Sequence, residues 1–112
     1  MFYVVPVSRR AFDHEIKLVM TMGKYYVYML QCADGSFYTG YTSDLTKRIK
    51  THNAGRGAKY TRVRRPVQLV YSESYADKQK AMSREALIKK RLTHQEKVFL
   101  IEHGYSPKLS PS

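Results

Sequence analysis

The stretch Tyr25–Thr42, YYVYMLQCADGSFYTGYT, decides how this chain folds. Two runs rich in aromatic and β-branched residues, Tyr25 to Gln31 and Phe37 to Thr42, flank the turn-forming pair Asp34-Gly35, the pattern of two antiparallel strands joined as a hairpin. Loop length sets which tyrosines meet. If Gly35 closes a three-residue loop (Ala33, Asp34, Gly35) as its left-handed residue, Cys32 pairs with Ser36, Leu30 with Tyr38 and Tyr28 with Gly40. Tyr28 and Tyr38 then share one face of the sheet. A two-residue turn at Asp34-Gly35 shifts the pairing by one and sends the two hydroxyls to opposite faces.

Working outward from the hairpin, Ser43 or Asp44 can cap a helix running to about Asn53, with Leu45, Ile49 and His52 on one stripe and Arg48 bordering it. Arg48 and His52, four residues apart, should look the same way, toward the sheet. Asn53 to Pro66 reads as a basic loop, and Val67 to Ser74 as a third strand. Asp77 then caps a helix to about Leu92. Its apolar stripe is Ala81, Ile88 and Leu92, with Met82 at the edge and Glu85 near the centre. Thr93-His94-Gln95-Glu96 is a capping-box signature opening a last helix through Glu102, stopped by Gly104, in which Val98, Phe99 and Ile101 pack. The expected fold is α+β, a small three-stranded antiparallel sheet flanked by helices, over residues 24–104. Residues 1–23 read either as an extra strand or helix or as an extension upstream of the domain, and 105–112 as a frayed tail.

With 112 residues the chain suits one compact domain. Its formal net charge is +11, so a polyanion is a more natural partner than an acidic protein or a cation. The distribution sharpens the point. No Asp or Glu occurs from Thr46 to Ser72, while Lys47, Arg48, Lys50, Arg56, Lys59, Arg62, Arg64 and Arg65 accumulate there, as a phosphate-backbone footprint would require. The competing reading of this run is a solvated loop. Within it Tyr60 is placed either to stack on a base or to pack inward. Cys32 is the single cysteine, which excludes an internal disulfide and a cysteine-based zinc site in a monomer and fits a reducing, cytoplasmic setting. No apolar run approaches the roughly 20 residues that span a bilayer, so no membrane partner is expected.

The paired segments Tyr26-Val27-Tyr28 and Tyr38-Thr39-Gly40 resemble the twin tripeptides of the GIY-YIG nuclease superfamily, with Tyr26 where that family usually has Gly and Thr39 where it usually has Ile. The similarity continues through Arg48, His52-Asn53, Gly57-Ala58-Lys59-Tyr60-Thr61 and Glu85, and is closest to the small single-domain branch. The resemblance implies a divalent-metal-dependent endonuclease hydrolysing DNA phosphodiester bonds, structure-selective and engaged in DNA repair or processing. Against it stands a DNA- or RNA-binding module that keeps the scaffold without turnover. It also implies catalytic roles for Tyr28, Tyr38, Arg48 and His52, and a structural place for Gly40.

The chemistry of these residues is compatible with that implication. Hydrolysis of a phosphodiester needs an activated oxygen nucleophile and stabilisation of charge on the phosphoryl oxygens. A single carboxylate, Glu85, can hold one Mg²⁺ (or Mn²⁺) that keeps waters and takes phosphate oxygens as its other ligands. A carboxylate inside a core-facing stripe is otherwise costly, the alternative partners being Lys89 at i+4 or Arg48 across the interface. Arg48, a permanent cation with a planar fork, suits the scissile phosphate. A phenol with a pKa of about 10 needs help before Tyr28 can act as a base, and the sequence leaves open which of Tyr28, Tyr38 and His52 takes the proton. A monomer acting on DNA, with RNA as the other polyanion, is the expected assembly.

Overall fold

The computed structural model describes residues 2–6 and 24–109. Strands β1 (Phe2–Pro6), β2 (Tyr25–Gln31), β3 (Phe37–Thr42) and β4 (Gln68–Tyr75) form one antiparallel sheet in the order β1-β4-β2-β3. Helices α1 (Leu45–Asn53), α2 (Lys59–Arg62), α3 (Lys78–Arg91) and α4 (His94–His103), with a 3-10 turn at Pro107–Leu109, complete an α+β fold. The expected three-stranded sheet is its β4-β2-β3 portion. Phe2–Pro6 adds an edge strand against β4, while the remainder of the expected N-terminal extension lies outside the described residues.

The hairpin adopts the three-residue loop. Gly35 takes φ +85°, its N–H donates to the Cys32 carbonyl at 2.9 Å, and the Cys32 N–H donates to Ser36 at 2.8 Å. A left-handed residue here is what glycine supplies without steric cost. Tyr28 therefore pairs with Gly40 and Leu30 with Tyr38, and the two tyrosines share a face.

Both faces of the sheet are covered. On one, Tyr26, Tyr28, Leu30, Cys32, Val67 and Leu69 pack with Leu45 and Ile49 of α1. On the other, Val27, Met29, Tyr71 and Tyr75 pack with Ala81, Ile88 and Leu92 from the α3 segment and Leu100 of α4. Full burial of a side chain such as Leu45 or Ile88 contributes about 2 kcal/mol each. Among the described residues no helix is long and apolar enough to cross a membrane.

Caps hold the helices in place. Asp44 accepts the Lys47 N–H at 3.1 Å and Asp77 the Gln79 N–H at 2.7 Å. Thr93 and Glu96 form the reciprocal box, at 3.2 and 2.8 Å.

Three expectations need correction. The 53–66 segment contains the one-turn helix α2 and is tied down: Asn53 makes two side-chain bonds to the Val67 backbone, at 2.8 and 3.0 Å, and the Arg64 carbonyl accepts the Ala33 N–H at 2.9 Å. The chain beyond Tyr105 is not frayed through Leu109, since Ser106 is buried and Leu109 packs on the second core. In α4 Ile101 packs against the second core as expected, but the fully buried anchor is Leu100, which the expected packing set lacked.

Strand β4 also carries a buried network. Its alternation sends Tyr71, Glu73 and Tyr75 to the α3 face, where the fully buried Glu73 carboxylate accepts both phenols at 2.5 and 2.6 Å. Arg84 of α3 donates to the same carboxylate from Nε at 2.9 Å and from Nη2 at 3.0 Å. Burial, then the carboxylate itself, pushes the pKa of both phenols far up, so they remain donors. This clamp fixes α3 on the sheet one residue before Glu85.

Candidate active site

Tyr28 is the hub. The phenol leaves the centre of β2 on the α1 face and is 1% exposed. Helix α1 brings two partners to it one turn apart: His52 Nε2 lies 2.9 Å from the Tyr28 hydroxyl, and Arg48 Nε donates to that oxygen at 3.4 Å. Tyr38 stands beside both, its ring centroid 6.4 Å from that of Tyr28 and 5.1 Å from that of His52. Tyr28, Tyr38, Arg48 and His52 are thus gathered at one place.

Two glycines make room for the cluster. A Cβ on Gly40 would come within 2.6 Å of the Tyr28 hydroxyl oxygen and 3.1 Å of the Tyr38 ring, and one on Gly57 would overlap the His52 ring. Gly57 and Thr61 carried no individual role in the sequence reading. Thr61, fully buried in α2, orients His52: its hydroxyl donates to the Ala58 carbonyl at 3.0 Å and lies 2.8 Å from His52 Nδ1. Thr61 Oγ1 then accepts from Nδ1–H, which leaves Nε2 to accept the Tyr28 hydroxyl proton. The opposite tautomer would gain only a 3.5 Å contact from the Ala58 N–H and strand that proton.

The electrostatics follow from this packing. Burial pushes the Tyr28 phenol up to about 12, against the hydrogen bond from Arg48, which acts to lower it. Burial, followed by the positive charge of Arg48, pulls His52 down to about 4. At neutral pH the pair is therefore a protonated phenol facing a neutral imidazole. Arg48 is held above its ordinary pKa chiefly by its hydrogen bond to Tyr28, with Tyr38 adding to it.

Glu85 approaches from α3, close enough for its charge to raise the Tyr28 pKa. The side chain is 19% exposed, and Lys89 Nζ pairs with its Oε2 at 3.4 Å. Lys89 also lies over the Tyr38 ring, 5.4 Å from the centroid. Of the two alternative partners the sequence allowed, the i+4 lysine is the one engaged, while Arg48 turns to Tyr28. Among the described residues no three His, Cys, Asp or Glu side chains cluster as a metal-binding set. A lone carboxylate suits a hard ion that keeps most of its waters and takes phosphate oxygens as further ligands.

The basic segment divides in two. Lys47, Arg56, Lys59 and Arg62 are exposed. Arg64 instead donates to Asp34 at 3.1 Å and to the Tyr60 carbonyl at 2.8 Å, and its guanidinium lies 3.9 Å over the Tyr60 ring. Arg65 donates to the carbonyls of Arg62 and Asn53, at 2.9 and 3.3 Å. Both guanidiniums are thus already engaged within the loop, although Arg65, like the first four, is exposed. Tyr60, 38% exposed, packs near-parallel to Tyr38 at 6.3 Å, so Arg64, Tyr60 and Tyr38 form a column leading to the site.

The GIY-YIG catalytic domain profile matches residues 24–97. A UPF0213 protein of Streptococcus pyogenes serotype M5 is 58% identical over 82 residues, 73% of this chain and 89% of the relative. A counterpart from serotype M3 is 57% identical over the same shares. Among solved structures, the solution NMR structure of a UPF0213 protein from Bacillus halodurans is 44% identical, covering 79% of this chain and 98% of that one, with a TM-score of 0.48. A protein from E. faecalis, also solved by NMR, is 41% identical over 70% and 82%, with a TM-score of 0.49.

Proposed function

This chain belongs to the GIY-YIG catalytic-domain family, and on that premise we propose that it is a divalent-metal-dependent endonuclease hydrolysing DNA phosphodiester bonds in repair or processing. The observation that carries the reading is the Tyr28 hydroxyl held between His52 Nε2 at 2.9 Å and Arg48 Nε at 3.4 Å. With its pKa near 12, Tyr28 does not wait as a phenolate. It works as a relay: as water attacks phosphorus and the P–O bond to the leaving sugar oxygen breaks, the water's proton passes to the Tyr28 oxygen, the phenol's own proton passes to the neutral His52 Nε2, and the departing alkoxide is protonated by solvent. Thr61, by taking Nδ1–H, keeps Nε2 open for that transfer.

Arg48 is placed to bind the scissile phosphate and to favour negative charge on the Tyr28 oxygen during the relay. Tyr38 lines the phosphate side of the same cluster. Glu85 would hold the Mg²⁺ or Mn²⁺, whose contribution when bound is to acidify water and neutralise charge on the phosphoryl oxygens. The departures at Tyr26 and Thr39 leave this arrangement intact: Tyr26 is buried in the core packing below Tyr28, and Thr39 faces the other way along β3.

Cleavage of single-stranded, duplex, flap and branched DNA, with Mg²⁺, Mn²⁺ or chelator, tests the proposal. Tyr28→Phe and His52→Ala should each lower the cleavage rate by 10²-fold or more, on the order expected for acid–base groups, and Glu85→Gln should abolish metal-dependent cutting. Binding of every substrate without cutting any would establish a non-catalytic module instead.

A further inference from the structure

Building on the reading of Glu85 as the metal ligand, we infer that Lys89 is a displaceable counter-ion for that carboxylate, which couples divalent-cation binding to nucleic-acid binding. Lys89 lies one turn after Glu85 on α3, with Nζ 3.4 Å from Oε2. The same ammonium lies 5.4 Å from the centroid of the Tyr38 ring. Its charge is therefore drawn over a site tyrosine, between the acid and the sheet.

The two partners differ in depth. The Glu85 side chain is 19% exposed and that of Lys89 43%. A carboxylate so far withdrawn from water needs an opposite charge, and the ammonium supplies it. A divalent cation on the same carboxylate would meet that ammonium at short range, so the two exclude one another. Displacement is easy because lysine is a point charge on a flexible four-carbon stem and does not depend on a fixed hydrogen-bond geometry. Once displaced, Lys89 needs another anion. Lys97 of α4 adds to that need: after burial, the repelling charge of Lys89 is what lowers its pKa. The anion within reach is the phosphate that Arg48 and Tyr38 would flank. Metal frees Lys89 for phosphate, and phosphate draws Lys89 away from Glu85, so each ligand raises the affinity for the other.

Mn²⁺ binding to the full-length protein, followed by the electron paramagnetic resonance signal of free Mn²⁺, tests this without catalysis. Lys89→Met should bind Mn²⁺ at least fivefold more tightly than wild type when no nucleic acid is present, Lys89→Arg, whose fork grips a carboxylate more firmly, should bind it no more tightly than wild type, and Glu85→Gln should lose binding. In a Tyr28→Phe background that blocks cleavage, the gain in DNA affinity produced by Mn²⁺, read by fluorescence anisotropy, should shrink when Lys89 is replaced by Met. Equal Mn²⁺ affinity in wild type and Lys89→Met, with binding still lost in Glu85→Gln, would overturn the counter-ion role alone. Absence of Mn²⁺ binding in both, or full binding by Glu85→Gln, would overturn the metal assignment and the coupling with it.

Discussion

Gly40 stands directly opposite Tyr28 across the β2–β3 pair, and its missing side chain is the space in which the Tyr28 phenol lies. A methyl group at Gly40 would meet the hydroxyl oxygen at 2.6 Å and the adjoining ring carbon at 2.8 Å, and could be accommodated only by swinging the phenol off the sheet. Because the hydroxyl is shared with His52 and Arg48, that swing breaks both bonds. Gly40→Ala is expected to lower cleavage as severely as Tyr28→Phe while costing about 1–3 kcal/mol of stability, the range for overpacking a well-filled site. Cleavage rates set beside a urea melt check this, and a variant that cuts normally refutes the fit.

His52 makes stability depend on pH in one direction. Folded, it titrates near 4 because it is buried beside Arg48; unfolded, it titrates near the free value of about 6.5. Between these values the unfolded chain binds a proton that the folded chain refuses. The stabilisation is therefore complete above about pH 6.5 and is lost as pH falls toward 4, with a total of about 3 kcal/mol. Urea unfolding of wild type and His52→Asn at pH 7, 5.5 and 4 should show the wild type losing more over this interval, and parallel curves would contradict the burial argument.

Glu73 is a buried charge with every partner in place, so removing a partner is costly. Arg84→Met would leave the carboxylate with two phenols and no cation, and Glu73→Gln would leave a guanidinium facing an amide. Each is expected to destabilise by about 3–5 kcal/mol. Because the same clamp sets α3 against β4, Glu73→Gln should also weaken Mn²⁺ binding at Glu85, measurable in buffer where the variant remains folded.

Much of this arrangement was readable in the residues themselves. Gly35 limited the loop to two registers, Asp44 and the Thr93/Glu96 pair marked helix starts, and the four-residue step from Arg48 to His52 put both on one side of α1. What could not be read arises from contacts across sequence distance. Thr61 meets His52 only because a one-turn helix folds back, and four residues of helix leave no periodic trace. Glu73 was hidden because the alternation in VQLVYSES suggests one dry and one wet face. In fact neither side of β4 is wet at this point: Ser72, Glu73 and Ser74 are all buried. For Glu85, helical period gave its direction, but whether Lys89 or Arg48 would answer its charge depended on what the sheet offered Arg48, namely Tyr28.

Thr39 reverses the case of Glu73. It stands where the family usually has Ile, is 2% exposed, and its hydroxyl oxygen has no hydrogen-bond partner among the described residues. An unmet buried hydroxyl costs about 1–3 kcal/mol, part of which a methyl in its place recovers. Thr39→Val should therefore raise stability by about 1 kcal/mol with cleavage unchanged, since the side chain faces away from Tyr28. A thermal melt showing no gain would mean that the hydroxyl is satisfied after all.

The basic segment makes the last prediction, which turns on how each cation is already employed. A phosphate contact requires a charge free to approach the backbone, and its loss lowers the salt dependence of duplex binding by about 0.9 in the logarithmic slope. Lys47, Arg56, Lys59 and Arg62 are exposed and meet that requirement, so replacing any one by Gln should reduce the slope by about one and leave the melting temperature in place. Arg64 holds Asp34, the Tyr60 carbonyl and the Tyr60 ring, and Arg65 bridges the ends of α1 and α2. Arg64→Gln would loosen the hairpin loop's side-chain tie to this segment and lose the cation over Tyr60, so its melting temperature should fall. Its effect on DNA should come through Tyr60 and Tyr38, as slower cleavage at every salt concentration. A slope that falls for Arg64→Gln as much as for Arg62→Gln, with stability unchanged, would place Arg64 on the DNA backbone and not in the loop.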